Sequence, residues 1–71
     1  MFAKLPLTAI RAFESAARLG GFKAASAELF VTPAAVSQQI KTLENLLGSM
    51  LFVRTPHGVQ LTANGERLYS K

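Results

Sequence analysis

The side chains with the clearest capacity for chemistry are hydrogen-bonding groups that recur along one stretch of the chain, residues 32–48. Their spacing places them on one side of a helix, because successive helical residues turn by about 100°. That side carries Ala34, Ser37, Gln38, Lys41 and Asn45, and no carboxylate. Small residues allow close approach to DNA, amides pair with adenine edges, and lysine reaches guanine or phosphate, so the face suits a major groove. A plain amphipathic helix with a solvated polar face is the alternative, and this segment alone leaves both open.

The same segment carries start and stop signals that predict a single helix. Thr32 can cap the N-terminus, Pro33 fits the first turn, and Gly48 is typical of a helix end. The opposite side is an apolar stripe of Val36, Ile40, Leu43 and Leu47. We therefore expect the helix to bury this stripe and to expose its polar side.

The segment after Gly48 changes to a strand-like pattern. Phe52-Val53 and Val59-Gln60-Leu61 suit short strands, and they flank Thr55-Pro56-His57-Gly58, in which Pro and Gly favour a β-turn. The pattern predicts a hairpin, or wing, that leans on the helices, because two strands are unstable alone. The side chains expected to make this contact are Leu51, Phe52, Val59 and Leu61.

Arg54 and His57 lie near the predicted tip of this wing. An arginine there can contact phosphates or enter a minor groove, whose negative potential favours it; a solvated arginine is the alternative. His57 is either a DNA contact or an ordinary turn residue. It is the only histidine and there is no cysteine, so we expect no metal site.

Catalytic groups are also lacking. The four carboxylates, Glu14, Glu28, Glu44 and Glu66, show no paired spacing suited to acid–base work, and no nucleophile–base set is present. We therefore expect neither enzyme activity nor a cofactor.

A first helix is predicted to open at Pro6 and to end at Gly20-Gly21. Helical spacing predicts that Ile10, Phe13 and Ala17 face the core.

A second, short helix is predicted over residues 24–30, with Lys23 as a poor cap and Ala24 and Ala25 small enough for another helix to cross closely. Only a few residues then separate it from the helix at 32–48. That connection is typical of a helix-turn-helix, although helical hairpins of bundles share it.

The last predicted helix is capped by Thr62 and begins at Ala63, with Gly65 allowing close backbone approach. Leu68 and Tyr69 begin an apolar face that either packs back on the core or pairs with another protomer.

Composition favours a small domain with a polyanionic partner. The 71 residues are 49% hydrophobic and carry a net charge of +4, a bias shared by ribosomal and membrane-surface proteins. No apolar run approaches the roughly 20 residues of a membrane span, and no signal peptide is recognisable. We expect a cytoplasmic protein without a membrane partner, and a helical pattern still running at Ser70-Lys71 suggests a fragment.

The stretch from about Leu5 to Tyr69 resembles the N-terminal DNA-binding domain of LysR-type transcriptional regulators. The likeness rests on Phe13, FxxASxxL from Phe22, AVSQQIKxLExxLG from Ala35, LFxR from Leu51 and LTxxG from Leu61. It implies a winged helix-turn-helix at 1–62 and, at 63–71, the start of a linker helix. It further implies sequence-specific binding of double-stranded DNA, a homodimer through the linker helix or a tetramer of the full-length protein, and a small-molecule effector bound by a C-terminal domain absent here.

The resemblance also implies which side chains contact DNA. Those on the third helix are Thr32, Ala34, Ala35, Ser37, Gln38 and Lys41, with Arg54 on the wing. Three residues depart from the usual pattern: Lys23 replaces a capping Ser or Thr but adds a cation near DNA, Ser26 replaces a second alanine, and Pro33 replaces a polar residue. Base reading is therefore expected to rest on Ser37, Gln38 and Lys41.

Two other classes of function share part of this pattern. A helical protein-interaction module could use the same polar face on an acidic protein. An RNA-binding module is disfavoured, because the five Phe and one Tyr mostly lie at core spacing and do not form exposed pairs for base stacking.

Overall fold

The computed structural model describes residues 7–70 as four helices and one β-hairpin. The helices are α1 (Leu7–Leu19), α2 (Phe22–Leu29), α3 (Pro33–Leu47) and α4 (Ala63–Tyr69), and the strands are β1 (Phe52–Thr55) and β2 (Gly58–Leu61). This order confirms the predicted mostly α, winged helix-turn-helix fold.

The first three helices pack around one core that the wing closes. Its buried apolar residues are Ala9, Ala12, Phe13, Ala16, Ala25, Val36, Ile40, Leu43, Leu51 and Phe52. Small side chains let the helices approach closely, and Ala16 on α1 and Ala25 on α2 are fully covered. α3 is therefore held by its apolar stripe.

The predicted signals at both ends of α3 are confirmed. The Thr32 hydroxyl accepts a hydrogen bond from the backbone N–H of Ala35 at 3.0 Å, and Pro33 is the first helical residue. Gly48 ends the helix in the left-handed conformation, with a φ of 70°. The turn before α3 also uses this conformation, at Phe30, whose φ is 59° and whose side chain is 94% exposed.

The wing is antiparallel, with Phe52 opposite Leu61 and Thr55 opposite Gly58. Gly58 has a φ of 138°, and a Cβ there would lie 2.5 Å from the carbonyl oxygen of Gly20. The next residue, Val59, donates its N–H to that same oxygen at 3.3 Å. The tip of the wing is therefore tied to the turn between α1 and α2.

α4 begins with the predicted cap, since the Thr62 hydroxyl accepts the N–H of Gly65 at 3.0 Å. Gly65 is buried, and a Cβ there would lie 2.2 Å from the Leu51 carbonyl oxygen, which confirms the close approach. Leu68 packs on the core, and the Tyr69 ring meets Phe13 edge-on at 6.3 Å.

The predicted boundaries of α2 were wrong. The helix begins at Phe22 and ends at Leu29, because Gly21 is the extended residue before it and its carbonyl already accepts the Ala25 N–H at 3.2 Å. Lys23 therefore lies inside the helix instead of at its cap, and Ala24 is exposed, so it makes no helix crossing.

Two predicted core residues were also wrong. Ile10 is 43% exposed and Leu47 is 48% exposed, because each lies at the edge of the side of its helix that faces the core. The expected helix start at Pro6 falls outside the described residues 7–70.

Candidate nucleic-acid interface

The outer face of α3, defined as Ala34, Ser37, Gln38, Lys41 and Asn45, is open to solvent. All are exposed except Ser37, which is half-buried. Thr32, just before this face, is exposed, and Ala35 at its margin is half-buried. Val36, Ile40 and Leu43 on the opposite side of α3 are buried in the core, so the helix that carries the polar groups is held in place.

Arg54 lies on β1 and leans towards the helices instead of projecting from the wing tip. Strand side chains alternate between faces, so Arg54 shares the face of buried Phe52, while exposed Val53 points the other way. Its Nη2 lies 3.5 Å from the Ser37 Oγ, a long contact for a hydrogen bond. The structure thus brings Arg54 alongside the outer face of α3.

His57 and Lys23 line a second concave surface next to Arg54. This surface runs from Pro33 past the start of α2 to the wing tip, and Lys23, Arg54 and His57 all line it. Lys23 and His57 are exposed, and the His57 backbone N–H donates to the Thr55 hydroxyl at 3.3 Å, which shapes the tip. These three basic residues therefore lie on one side of the domain, on a surface continuous with the start of α3.

Glu44 is the carboxylate nearest the outer face of α3. It lines the hollow between α3 and β1 together with Ser37, Lys41 and Arg54. Its Oε2 is occupied, because it accepts the backbone N–H of Leu51 at 2.8 Å and that of Phe52 at 3.3 Å. Within residues 7–70, the N-terminal and central parts of the outer face of α3 therefore have no carboxylate beside them, and the Glu44 carboxylate lies beside its C-terminal part.

Two other glutamates, Glu14 on α1 and Glu28 on α2, are both paired with Arg18. The Arg18 Nε donates to Glu14 at 2.8 Å, and its Nη2 donates to Glu28, which also accepts the buried Ser15 hydroxyl at 2.7 Å. The hydrogen bonds from Arg18 and Ser15 lower the pKa of the Glu28 carboxyl. These bonds join α1 to α2, and the Arg18 guanidinium offsets part of the negative charge of the two carboxylates.

Sequence reasoning missed the roles of Glu44 and Phe22. The spacing of the glutamates argues against a catalytic role for Glu44 and indicates no other, whereas its carboxylate joins α3 to the wing. Phe22 was expected to lead into α2, yet its ring lies 5.3 Å from the Arg54 guanidinium. Both contacts join residues from different elements, and no local spacing signals them.

Other kinds of site find no support among the described residues. Within residues 7–70, no three His, Asp or Glu side chains cluster as metal ligands would. No helix in that range has the length and apolar character needed to span a membrane.

Residues 7–66 match the family model described as bacterial regulatory helix-turn-helix protein, lysR family. A carbapenem-hydrolyzing beta-lactamase transcriptional activator from Enterobacter cloacae is 56% identical over 68 residues, covering 96% of this chain and 23% of the relative. The HTH-type transcriptional activator AmpR of Pseudomonas aeruginosa is 56% identical over 64 residues, covering 90% of this chain and 22% of the relative. The chain thus spans less than a quarter of these relatives.

Solved structures show the same architecture. The DNA complex of the CbnR DNA-binding domain superposes with a TM-score of 0.85 at 30% identity, covering 89% of this chain and 72% of that one. The BenM DNA-binding domain bound to benA site 1 DNA gives a TM-score of 0.84 at 30% identity, covering 90% and 72%. Both of those proteins were crystallised on DNA.

Proposed function

We propose that this chain, which belongs to the LysR family of bacterial regulatory helix-turn-helix proteins, binds double-stranded DNA sequence-specifically and thereby controls transcription. The observation that carries the proposal is the exposed outer face of α3 with Arg54 beside it. The proposal is also supported by the fold shared with domains crystallised on DNA.

α3 is proposed to lie in the major groove. Ala34 and Ala35 let the helix approach the base edges, and Ser37, Gln38 and Lys41 offer a hydroxyl, an amide and an ammonium group to them. The Thr32 hydroxyl already accepts the Ala35 N–H, so its own proton is free to reach a phosphate. Gln38 is the strongest candidate for reading sequence, because it is exposed and can form a two-bond pair with adenine.

The basic residues outside α3 are proposed to fix the register of the domain on the duplex. Arg54 would contact the backbone or the adjacent minor groove beside α3, and Lys23 and His57 would contact phosphates along the concave surface that they line. Such contacts raise affinity for all sequences and make it depend on salt.

The larger protein is proposed to be a cytoplasmic dimeric or tetrameric regulator with an effector-binding domain. Residues 1–62 form the DNA-binding domain in this proposal, and residues 63–71 begin the linker helix. Support for a second protomer comes from an apolar surface beside α4, where Ile10, Leu46, Leu47 and Tyr69 are 43%, 64%, 48% and 41% exposed. Two half-sites about one helical turn apart are then expected in the target DNA.

Binding curves on a selected site and on random duplex test the proposal. Gln38→Ala should cost about 1 to 3 kcal/mol on the selected site and relax its base preference. Gln60→Ala is the matched control, since Gln60 is also exposed but lies on β2 of the wing. Equal losses on both kinds of DNA would remove Gln38 from base reading.

The salt dependence of the same binding separates DNA recognition from a protein-interaction module. Affinity for random duplex should fall steeply with salt, and Arg54→Ala should reduce the slope by about one. A domain without duplex binding at physiological salt would refute the proposed function.

A further inference from the structure

The Arg54 side chain is held by an aromatic ring. Its Cζ lies 5.3 Å from the centroid of the Phe22 ring, within the roughly 6 Å at which a cation–π attraction operates. The Phe22 ring is itself supported, because the ring of buried Phe52 meets it at 5.5 Å with an interplanar angle of 88°. The guanidinium therefore rests on a platform anchored in the core.

The electrostatic surroundings leave Arg54 able to bind an anion. Within residues 7–70, no carboxylate lies within ion-pair distance of its guanidinium. Glu44 lines the same hollow, but its Oε2 faces the backbone N–H groups of Leu51 and Phe52. Among the described residues, only the long contact to the Ser37 hydroxyl uses a donor of Arg54.

We propose that Phe22 is a positioning residue that holds Arg54 at the flank of α3 for contact with DNA, an inference that rests on the proposed function. A cation–π contact uses the face of a guanidinium and leaves the N–H groups at its edge free to donate. An arginine already held in this way loses less side-chain freedom when it binds a phosphate or a base edge. Arg54 and Ser37 then contact neighbouring parts of one site.

The sign of the effect is the critical point. If Arg54 keeps its place on the ring when DNA binds, removing the ring weakens binding. If Arg54 must leave the ring to reach DNA, removing the ring strengthens binding. Only the first outcome agrees with a positioning role.

A double-mutant cycle tests the proposal with the whole 71-residue chain. Phe22→Leu keeps apolar bulk but removes the ring, and is expected to weaken duplex binding about 2- to 5-fold. Combined with Arg54→Ala it should add almost nothing to the loss from Arg54→Ala alone. Phe22→Tyr keeps the ring and should restore binding.

The control is Leu29→Val, a core-packing change at the other end of the same helix. Its effect, if any, should add to that of Arg54→Ala, whereas the effect of Phe22→Leu should not. Proton NMR of the free protein gives a readout independent of DNA, because ring-current shifts of the Arg54 side chain should disappear in Phe22→Leu and persist in Leu29→Val.

The possible results separate the two proposals. Additive losses for Phe22→Leu and Arg54→Ala, or unchanged or tighter binding by Phe22→Leu, overturn the positioning role while DNA binding stands. Absence of duplex binding by the unaltered chain overturns the proposed function, and the positioning role with it.

Discussion

Replacing Glu44 with alanine should loosen the wing from α3. The carboxylate accepts two backbone N–H groups at the start of β1, at 2.8 Å from Leu51 and 3.3 Å from Phe52. Leu51 and Phe52 are 1% and 4% exposed, so water replaces the lost acceptor poorly. The shorter bond counts as one hydrogen bond to a charged group, and the longer one adds little. We therefore expect the free energy of unfolding to fall by about 2 kcal/mol. For a domain of this size, that corresponds to a melting temperature about 8 to 16 °C lower.

Thermal unfolding followed by circular dichroism measures this loss, and duplex binding well below the melting temperature measures its functional consequence. Glu44→Gln keeps a neutral acceptor oxygen and should lose about half as much stability. Glu66→Ala is the matched control, because Glu66 is exposed on α4, and its expected change is below about 0.5 kcal/mol. If Glu44→Ala melted within a few degrees of the unaltered chain, the carboxylate would not be what fixes the wing.

Two further predictions concern other anchors of the fold. Gly65→Ala should destabilise the domain by about 1 to 3 kcal/mol in denaturant titrations, because the new Cβ would lie 2.2 Å from the Leu51 carbonyl oxygen. The loss is expected even though alanine has a higher helix propensity than glycine. A gain in stability would refute this close contact. The hydrogen bonds from Arg18 and Ser15 lower the pKa of Glu28, so they stabilise the folded state fully above the ordinary carboxylate pKa. This stabilisation is lost as the pH falls through the lowered pKa of Glu28. The difference in melting temperature between the unaltered chain and Glu28→Gln should therefore shrink as the pH falls below the ordinary carboxylate pKa, and a constant difference across that range would contradict the assignment.

The parts of the fold that were predictable are those encoded by neighbouring residues. Thr32, Pro33 and Gly48 each favour a particular backbone conformation through their own chemistry, so both ends of α3 could be read locally. The hairpin followed in the same way from the turn residues between two short segments with a strand-like pattern. The exposure of Gln38 and Lys41 followed from helical periodicity once the opposite stripe had been assigned to the core.

The errors arose where the outcome depends on a distant partner. Ile10 and Leu47 have the right spacing for burial, but no described element covers the edges of the helices on which they lie. The cap of α2 was misplaced because Gly21 supplies no side-chain hydrogen bond that the sequence could signal. Arg54 was expected near the tip of the wing. Because Phe52 packs into the core, the side of β1 that carries both Phe52 and Arg54 faces α3 instead.

Polar contacts at both ends of the wing hold it to the helical core, in addition to the packing of buried Phe52. At its tip, the Val59 N–H binds the Gly20 carbonyl; at its base, the Glu44 carboxylate binds the N–H of Leu51. Behind the base, Gly65 packs against the Leu51 carbonyl, which joins α4 to the same region. A hairpin fixed at tip and base cannot swing independently, so α3 and Arg54 should meet DNA as one rigid body. The spacing between their contacts is then set by the fold, and a target site should tolerate base changes beneath the wing better than any insertion between the two contacts.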